Sequence, residues 1–289
     1  MNNQNYAENA LYPEEHIYSQ ENQFPKDSNK NYQNGNSDVK LDINKYPIPS
    51  PDVQESLRQS IEGERIQKIL RNGFIRKVYG ILSVQLIISL AFVLYFQQDS
   101  AKKSLETYST LWTVIYGIAG IGFLVIYILL ACKRDLGRKV PYNYILLFIL
   151  TLAEGFTCAF IAAAFSLDTV ILCLVLTIIS SIVITIYAFK TNSDWSNKGV
   201  LLYIILSQFI VVSIFVFFLN LSLLQVFCCL VGTLIFGVYL VYDTQLIIGK
   251  FGNMYNVDDY IFATLELYMD IIRLFIEILR IVGNVTKKN

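Results

Sequence analysis

Seven apolar runs, each about twenty residues long, follow one another between residues 78 and 282. They cover about 78–96, 111–132, 142–164, 169–189, 200–219, 223–248 and 260–282. Each has roughly the 17–25 residues that a helix needs to cross a bilayer. In hydrocarbon every backbone N–H and C=O must be satisfied internally, so runs of this kind are predicted to be helices. The fold class expected is an all-α integral membrane protein, with seven transmembrane helices over residues 73–289. Composition agrees: 54% of residues are hydrophobic, 16% are charged, and the mean hydropathy is +0.48. A soluble domain would carry about 25% charged residues.

Residues 1–72 read differently. Asn, Gln, Tyr, Ser and Pro dominate 1–60, as in "NKNYQNGNSD" and "YPIPSPD". Such a stretch buries too little apolar area to offset its chain entropy, so a disordered tail is expected. It has no apolar core and does not read as a signal peptide. A basic approach follows, with Arg65, Lys68, Arg71, Arg76 and Lys77.

Lys and Arg placement orients the spans. The basic approach, Lys133, Arg134, Arg138 and Lys139, then Lys190, Lys198 and Lys250 all fall at one membrane face. The opposite loops carry only Lys102 and Lys103. A cytoplasmic N-terminus is therefore expected. Seven full crossings place Lys287 and Lys288 on the far side, so a re-entrant last segment is the competing arrangement. The triplets "NLS" at Asn220 and "NVT" at Asn284 lie too near the bilayer to serve as glycosylation sites.

Several function classes fall away. Net charge is zero and no basic, aromatic-laced patch appears, so nucleic acid is not an expected partner. The single histidine, His16, lies in the tail, which excludes a His-based metal site or triad. Cys132, Cys158, Cys173, Cys228 and Cys229 lack zinc-type spacing and read as small buried hydrophobes. "GIAGIG" at 117–122 has no preceding strand and lies within a span, so it is not a nucleotide fingerprint. Gly155, Ala159 and Ala163, and separately Thr233 and Gly237, are spaced as packing notches.

The last run is the unusual one. At about 100° per residue, Glu266, Asp270, Arg273, Glu277 and Arg280 fall at roughly 0°, 40°, 340°, 20° and 320°, within an arc of about 80°. A face so charged must meet protein or water rather than lipid. That places the helix at the centre, with the other six around it. The bland reading of the stripe is a ladder, Asp270 with Arg273 and Arg273 with Glu277.

A second acid, Asp243 in "GVYLVYDTQLIIG", lies in the preceding run. By helical rise Asp243 sits ~9 Å and Asp270 ~16 Å from the same membrane face, a mismatch that tilt removes. Two carboxyls in one low-dielectric pocket need a shared proton, a metal ion or an arginine. Such a pair is a proton latch, closed when bridged by a proton and able to admit a cation when not. Its hard oxygens suit Ca²⁺, held transiently by Asp243 and Asp270, better than a transition metal. Glu154, mid-span in the third run, is a candidate third carboxylate.

"NGFIRKVYGILSVQL", "VPYNYILLFILTLAEGF", "VYLVYDTQLIIG" and "DYIFATLELYMDIIRLFIEILRIVG" together resemble the lifeguard branch of the transmembrane Bax-inhibitor-motif family. The match runs in order over roughly residues 72–283. It implies a seven-helix fold with the last helix central, residence in endoplasmic reticulum, Golgi or related membranes, a pH-sensitive Ca²⁺ leak, and restraint of cell death. The family's paired aspartates fall onto Asp243 and Asp270. For its latch arginine, Arg134 and Arg138 are the nearest candidates at the end of the second span. Where relatives commonly read "LNLYLDIINLF", this chain reads "LELYMDIIRLF". Glu266 and Arg273 thus replace uncharged amides, and both are candidate pore or latch partners.

The leading expectation is a monomeric Ca²⁺ leak whose partners are the bilayer, Ca²⁺ and protons, with no cofactor and no enzymatic activity. The alternative is a non-transporting regulator that binds death-pathway or receptor proteins through residues 1–60. An intramembrane aspartyl protease is disfavoured: Tyr242-Asp243 supplies a "YD", but Asp270 follows "LYM" with no glycines to admit a substrate backbone.

Overall fold

A computed structural model describes residues 50–219, 222–252 and 255–286. Among them the regular structure is helical, with no strand. The chain divides into two units, Met1–Gln54 and Glu55–Asn289, and the second holds the membrane helices. His16 and most of the tail lie outside the described residues.

Helix α1 (Pro51–Phe96) starts with proline at its first position, where the missing N–H costs nothing. Residues 51–72, read above as the end of the tail, are thus helical and continuous with the first span. Strong helix formers in "GERIQKILRNG" account for this. Upstream of Arg71 the helix is exposed almost throughout. From there Phe74, Val78, Leu82, Gln85, Ser89, Val93 and Phe96 are buried, one every three or four residues.

The later helices are α2 (Asp99–Thr107), α3 (Ser109–Cys132), α4 (Arg134–Arg138), α5 (Tyr142–Ala162), α6 (Leu167–Lys190), α7 (Gly199–Leu219), α8 (Ser222–Ile248) and α9 (Tyr260–Thr286). Helices α2 and α4 occupy connections where the apolar pattern predicts nothing. Helix α6 is capped by Ser166, whose hydroxyl accepts from the Thr169 N–H. Gly249, at φ 71°, ends α8 in the left-handed conformation that a glycine adopts without strain.

Among the described residues, six helices (α1, α3, α5, α6, α7 and α8) are long and apolar enough to cross a membrane. Helix α9 has the length, 27 residues, but carries the charged stripe. It packs against α4, α5, α6 and α8. Ile261, Leu265, Tyr268, Leu274, Ile276 and Leu279 on it are essentially inaccessible. The last helix is therefore the centre of the bundle, as its polar face requires.

The outward faces of α3, α6 and α7 are apolar and exposed, with Ile121 at 69% and Val200 at 78%. That is the surface a lipid-embedded protein presents. Cys132 is exposed at the end of α3, unlike the other four cysteines, which are buried as expected. Gly155 is a notch: a Cβ there would lie 3.3 Å from Phe92 and 3.4 Å from Ser89. It lets α5 close on α1, where Gln85 Nε2 donates to Thr151 Oγ1 at 2.8 Å.

The end of the bundle carrying Lys190 and Lys250 is stitched by polar contacts. Gln245, fully buried, accepts from the Trp195 N–H at 2.8 Å and donates to the Ser193 carbonyl at 3.0 Å. Arg71 donates to the carbonyls of Ile247 at 3.3 Å and Tyr255 at 2.9 Å. It thereby satisfies a carbonyl that the end of α8 leaves without a helical partner.

Candidate functional site

Asp243 and Asp270 meet. Asp243 lies five residues before the end of α8, and Asp270 ten residues after the start of α9. Both are buried, at 4% and 7% exposure, and their side chains are within hydrogen-bonding contact of each other. Ionised carboxylates only accept hydrogen bonds, so a direct bond between the two requires a proton on one of them. Asp270 Oδ2 finds no donor among the described residues.

Two tyrosines close the site. From the α8–α9 loop, Tyr255 donates its hydroxyl to Asp243 Oδ1 at 3.4 Å. Burial, and then the charge of Asp243, push that phenol well above its ordinary value, so it remains a donor. Its own carbonyl is the one held by Arg71. On α3, Tyr127 donates to Glu266 Oε1 at 3.0 Å. Glu266, one turn before Asp270, lies within charge-interaction range of both aspartates. The site is thus an acidic pair with a third acid beside it, roofed by phenols.

The charged neighbours sort themselves otherwise than a simple ladder. Arg273 pairs with Glu154 on α5 at 3.5 Å, not with Asp270 or Glu277. Glu277 pairs with Arg280 at 3.6 Å. Glu154, 2% exposed, faces Arg273 and does not join the aspartates. Neither candidate latch arginine reaches the pair. Arg138 makes a two-pronged bond to Asp259, at 2.7 and 2.9 Å, and Arg134 is exposed. Both sit beyond the end of α3, where the guanidinium meets the start of α9 rather than its middle.

Sequence reasoning did not find Tyr255, Tyr127, Arg71 or Asp259. Asp259 had a signal, since an acid just before a helix often sits at its start. The two tyrosines had none, because neither the loop-to-span contact of Tyr255 nor the span-to-span contact of Tyr127 leaves a periodic trace. Among the described residues no group of three or more His, Cys, Asp or Glu side chains is set to hold a metal ion.

Fold and site define a multi-pass helical membrane protein with a buried acidic pair between its last two helices. Residues 71–287 match the family described as inhibitor of apoptosis-promoting Bax1. The chain is 33% identical to human protein lifeguard 3 over 226 residues, covering 77% of this chain and 72% of that protein. It is 34% identical to the mouse protein lifeguard 3 over 227 residues, with 77% and 72% covered. It is 33% identical to LIFEGUARD 2 of Arabidopsis thaliana over 217 residues, with 73% and 87% covered. The chain belongs to the Bax inhibitor family, and these relatives within it bear the lifeguard name.

Proposed function

We propose that this protein is a membrane regulator of cell death that acts as a proton-gated Ca²⁺ leak. The observation that carries the reading is the direct contact of Asp243 with Asp270 inside the bundle. A shared proton joins α8 to α9 with a charge-assisted hydrogen bond, in general worth about 1.5–3 kcal/mol. Without it, two unit charges ~4 Å apart repel by about 4 kcal/mol at an effective dielectric of 20. One proton therefore changes the sign of the force between the two helices.

Tyr255 covers Asp243 from the basic end, and Glu266 adds negative charge beside the pair. A pathway through this point offers hard oxygen atoms, which favour Ca²⁺ over softer ions. Ca²⁺ is cargo in this reading, bound in passing. The basic residues at the Arg71–Lys250 end support a cytoplasmic N-terminus, and the family resemblance alone suggests an endoplasmic reticulum or Golgi membrane. No catalysis is proposed, because Asp270 follows Leu267, Tyr268 and Met269 rather than the glycines a protease needs.

The test is Ca²⁺ efflux from dye-loaded vesicles that contain only the purified full chain. Efflux above that of protein-free vesicles, rising with pH, is expected. Efflux at the protein-free level across the whole pH series would overturn the reading.

A further inference from the structure

An apolar slot of about 550 Å³ lies between α1 and α6, with α9 as its back wall. On α1 its lining runs from Tyr79 to Val93, and on the antiparallel α6 from Ile186 back to Leu174. At 1.5 Å per residue these stretches are ~21 and ~18 Å long, so the slot lies along the helix axes. Its mouth is formed by residues that are also on the exposed surface, Ile87 at 65%, Ile178 at 58% and Ile182 at 54%. Its depth reaches Ile272 and Phe275 of α9, both buried at 5% or less. The slot thus joins the lipid-facing surface to the central helix.

Small side chains open it. Thr177, Ser181 and Thr185 follow at intervals of four on α6, facing Ser83 and Ser89 on α1. Spacing of this kind usually marks helices in close contact; here a cavity remains between them. The hydroxyls do not make the slot polar. Ser83, Ser89 and Thr177 each donate to the carbonyl four residues back. Ser89 is bonded to Tyr268 as well. Among the described residues, Ser181 Oγ and the Tyr79 hydroxyl are the buried lining groups without a hydrogen-bond partner.

An unfilled space of this size would forfeit the dispersion contacts of every lining atom. Water does not suit it, since a buried water needs 2–4 polar partners. The medium adjoining its mouth is hydrocarbon, and a linear chain follows its long axis.

We propose that the slot is a binding site for one acyl chain of a bilayer phospholipid, inserted between α1 and α6 onto Ile272 and Phe275. The proposal is independent of the leak reading, because nothing in it involves the aspartates.

The test reconstitutes the full chain in phosphatidylcholine vesicles whose acyl chains carry a diazirine at mid-chain. After irradiation, adducts are mapped by mass spectrometry. Adducts on the α9 peptide containing Phe275 are expected, because lipid confined to the outer surface does not reach it. Ser181→Phe fills the slot, and Ile87→Trp obstructs its mouth from an exposed position. Each is expected to abolish the α9 adducts, whereas Ile121→Phe on the lipid face of α3 leaves them unchanged. Absence of α9 adducts in the parent chain, or their persistence in Ile87→Trp, overturns the proposal. So does α9 labelling by a photoactivatable sterol but not by the acyl probe.

Discussion

Arg273 on α9 pairs with Glu154 on α5, one helical turn beyond Asp270, and leaves the aspartates to each other. Glu154 is 2% exposed and the arginine side chain 39%. Removing only the arginine would strand a buried carboxylate. Breaking a buried pair costs about 3–5 kcal/mol, and the part-exposed arginine argues for the low end, about 3 kcal/mol. Arg273→Gln is therefore expected to lower stability in detergent by that amount, with Glu154→Gln/Arg273→Gln recovering most of the loss. Chemical denaturation of the two variants checks this; equal stabilities would show that the ion pair does not hold α5 to α9.

Gln245 ties α8 to the segment that precedes α7 through two backbone partners, Trp195 N–H and the Ser193 carbonyl. Gln245→Ala removes both bonds from a part-buried setting, at about 0.5–1.5 kcal/mol each. A drop in thermal midpoint in detergent, with helix content unchanged by circular dichroism, is the expected outcome. An unchanged midpoint would mean that the contact contributes nothing.

Tyr255 supplies the donor that faces Asp243 from the loop. Its phenol is held well above the ordinary tyrosine range by burial and by Asp243, so it donates across the physiological pH range. The ionised carboxylate benefits most from that donor. Tyr255→Phe removes it, so ionisation needs a higher pH and the efflux curve is expected to move to more alkaline pH. Arg71→Gln, which frees the loop that carries Tyr255, is expected to move it the same way. Curves superimposed on the parent's would remove Tyr255 from the latch.

Helix α9 has spanning length, 27 residues; its Asp270 and Glu277 are buried in the bundle, while Arg280 near its end is exposed. With a cytoplasmic N-terminus, seven crossings put the C-terminus on the lumenal side. A glycosylation acceptor on an extended C-terminal tag is expected to be modified in microsomes. A tag that stays unmodified, while a control tag in the α1–α3 connection is modified, would make α9 re-entrant.

The spans were legible because each apolar run answers one demand, burial of backbone polarity in hydrocarbon. The central position of α9 was legible for the same reason, since a stripe holding Asp270, Arg273 and Glu277 has no place against lipid. The Asp243–Asp270 meeting followed from depth and from the short α8–α9 connection. What did not follow was partner choice. Arg273 had Asp270 and Glu277 within one turn on its own helix, yet Glu154 from another helix took it. Arg138 was a candidate latch arginine only through the family resemblance and its place at the end of the second span, and the bundle sets it at Asp259. Pairing between helices depends on rotation about each axis, which no single run of sequence encodes. The helical start at Pro51 was hidden by the polar composition around it, because composition weighs burial and not helix propensity.

The central claim is that one proton joins Asp243 to Asp270, and infrared difference spectroscopy of the reconstituted protein across a pH series addresses it directly. A protonated-carboxyl band that fades as pH rises, and that is missing from both Asp243→Asn and Asp270→Asn, is the predicted result. A band that survives in either variant, or a parent protein without one at any pH, would contradict it.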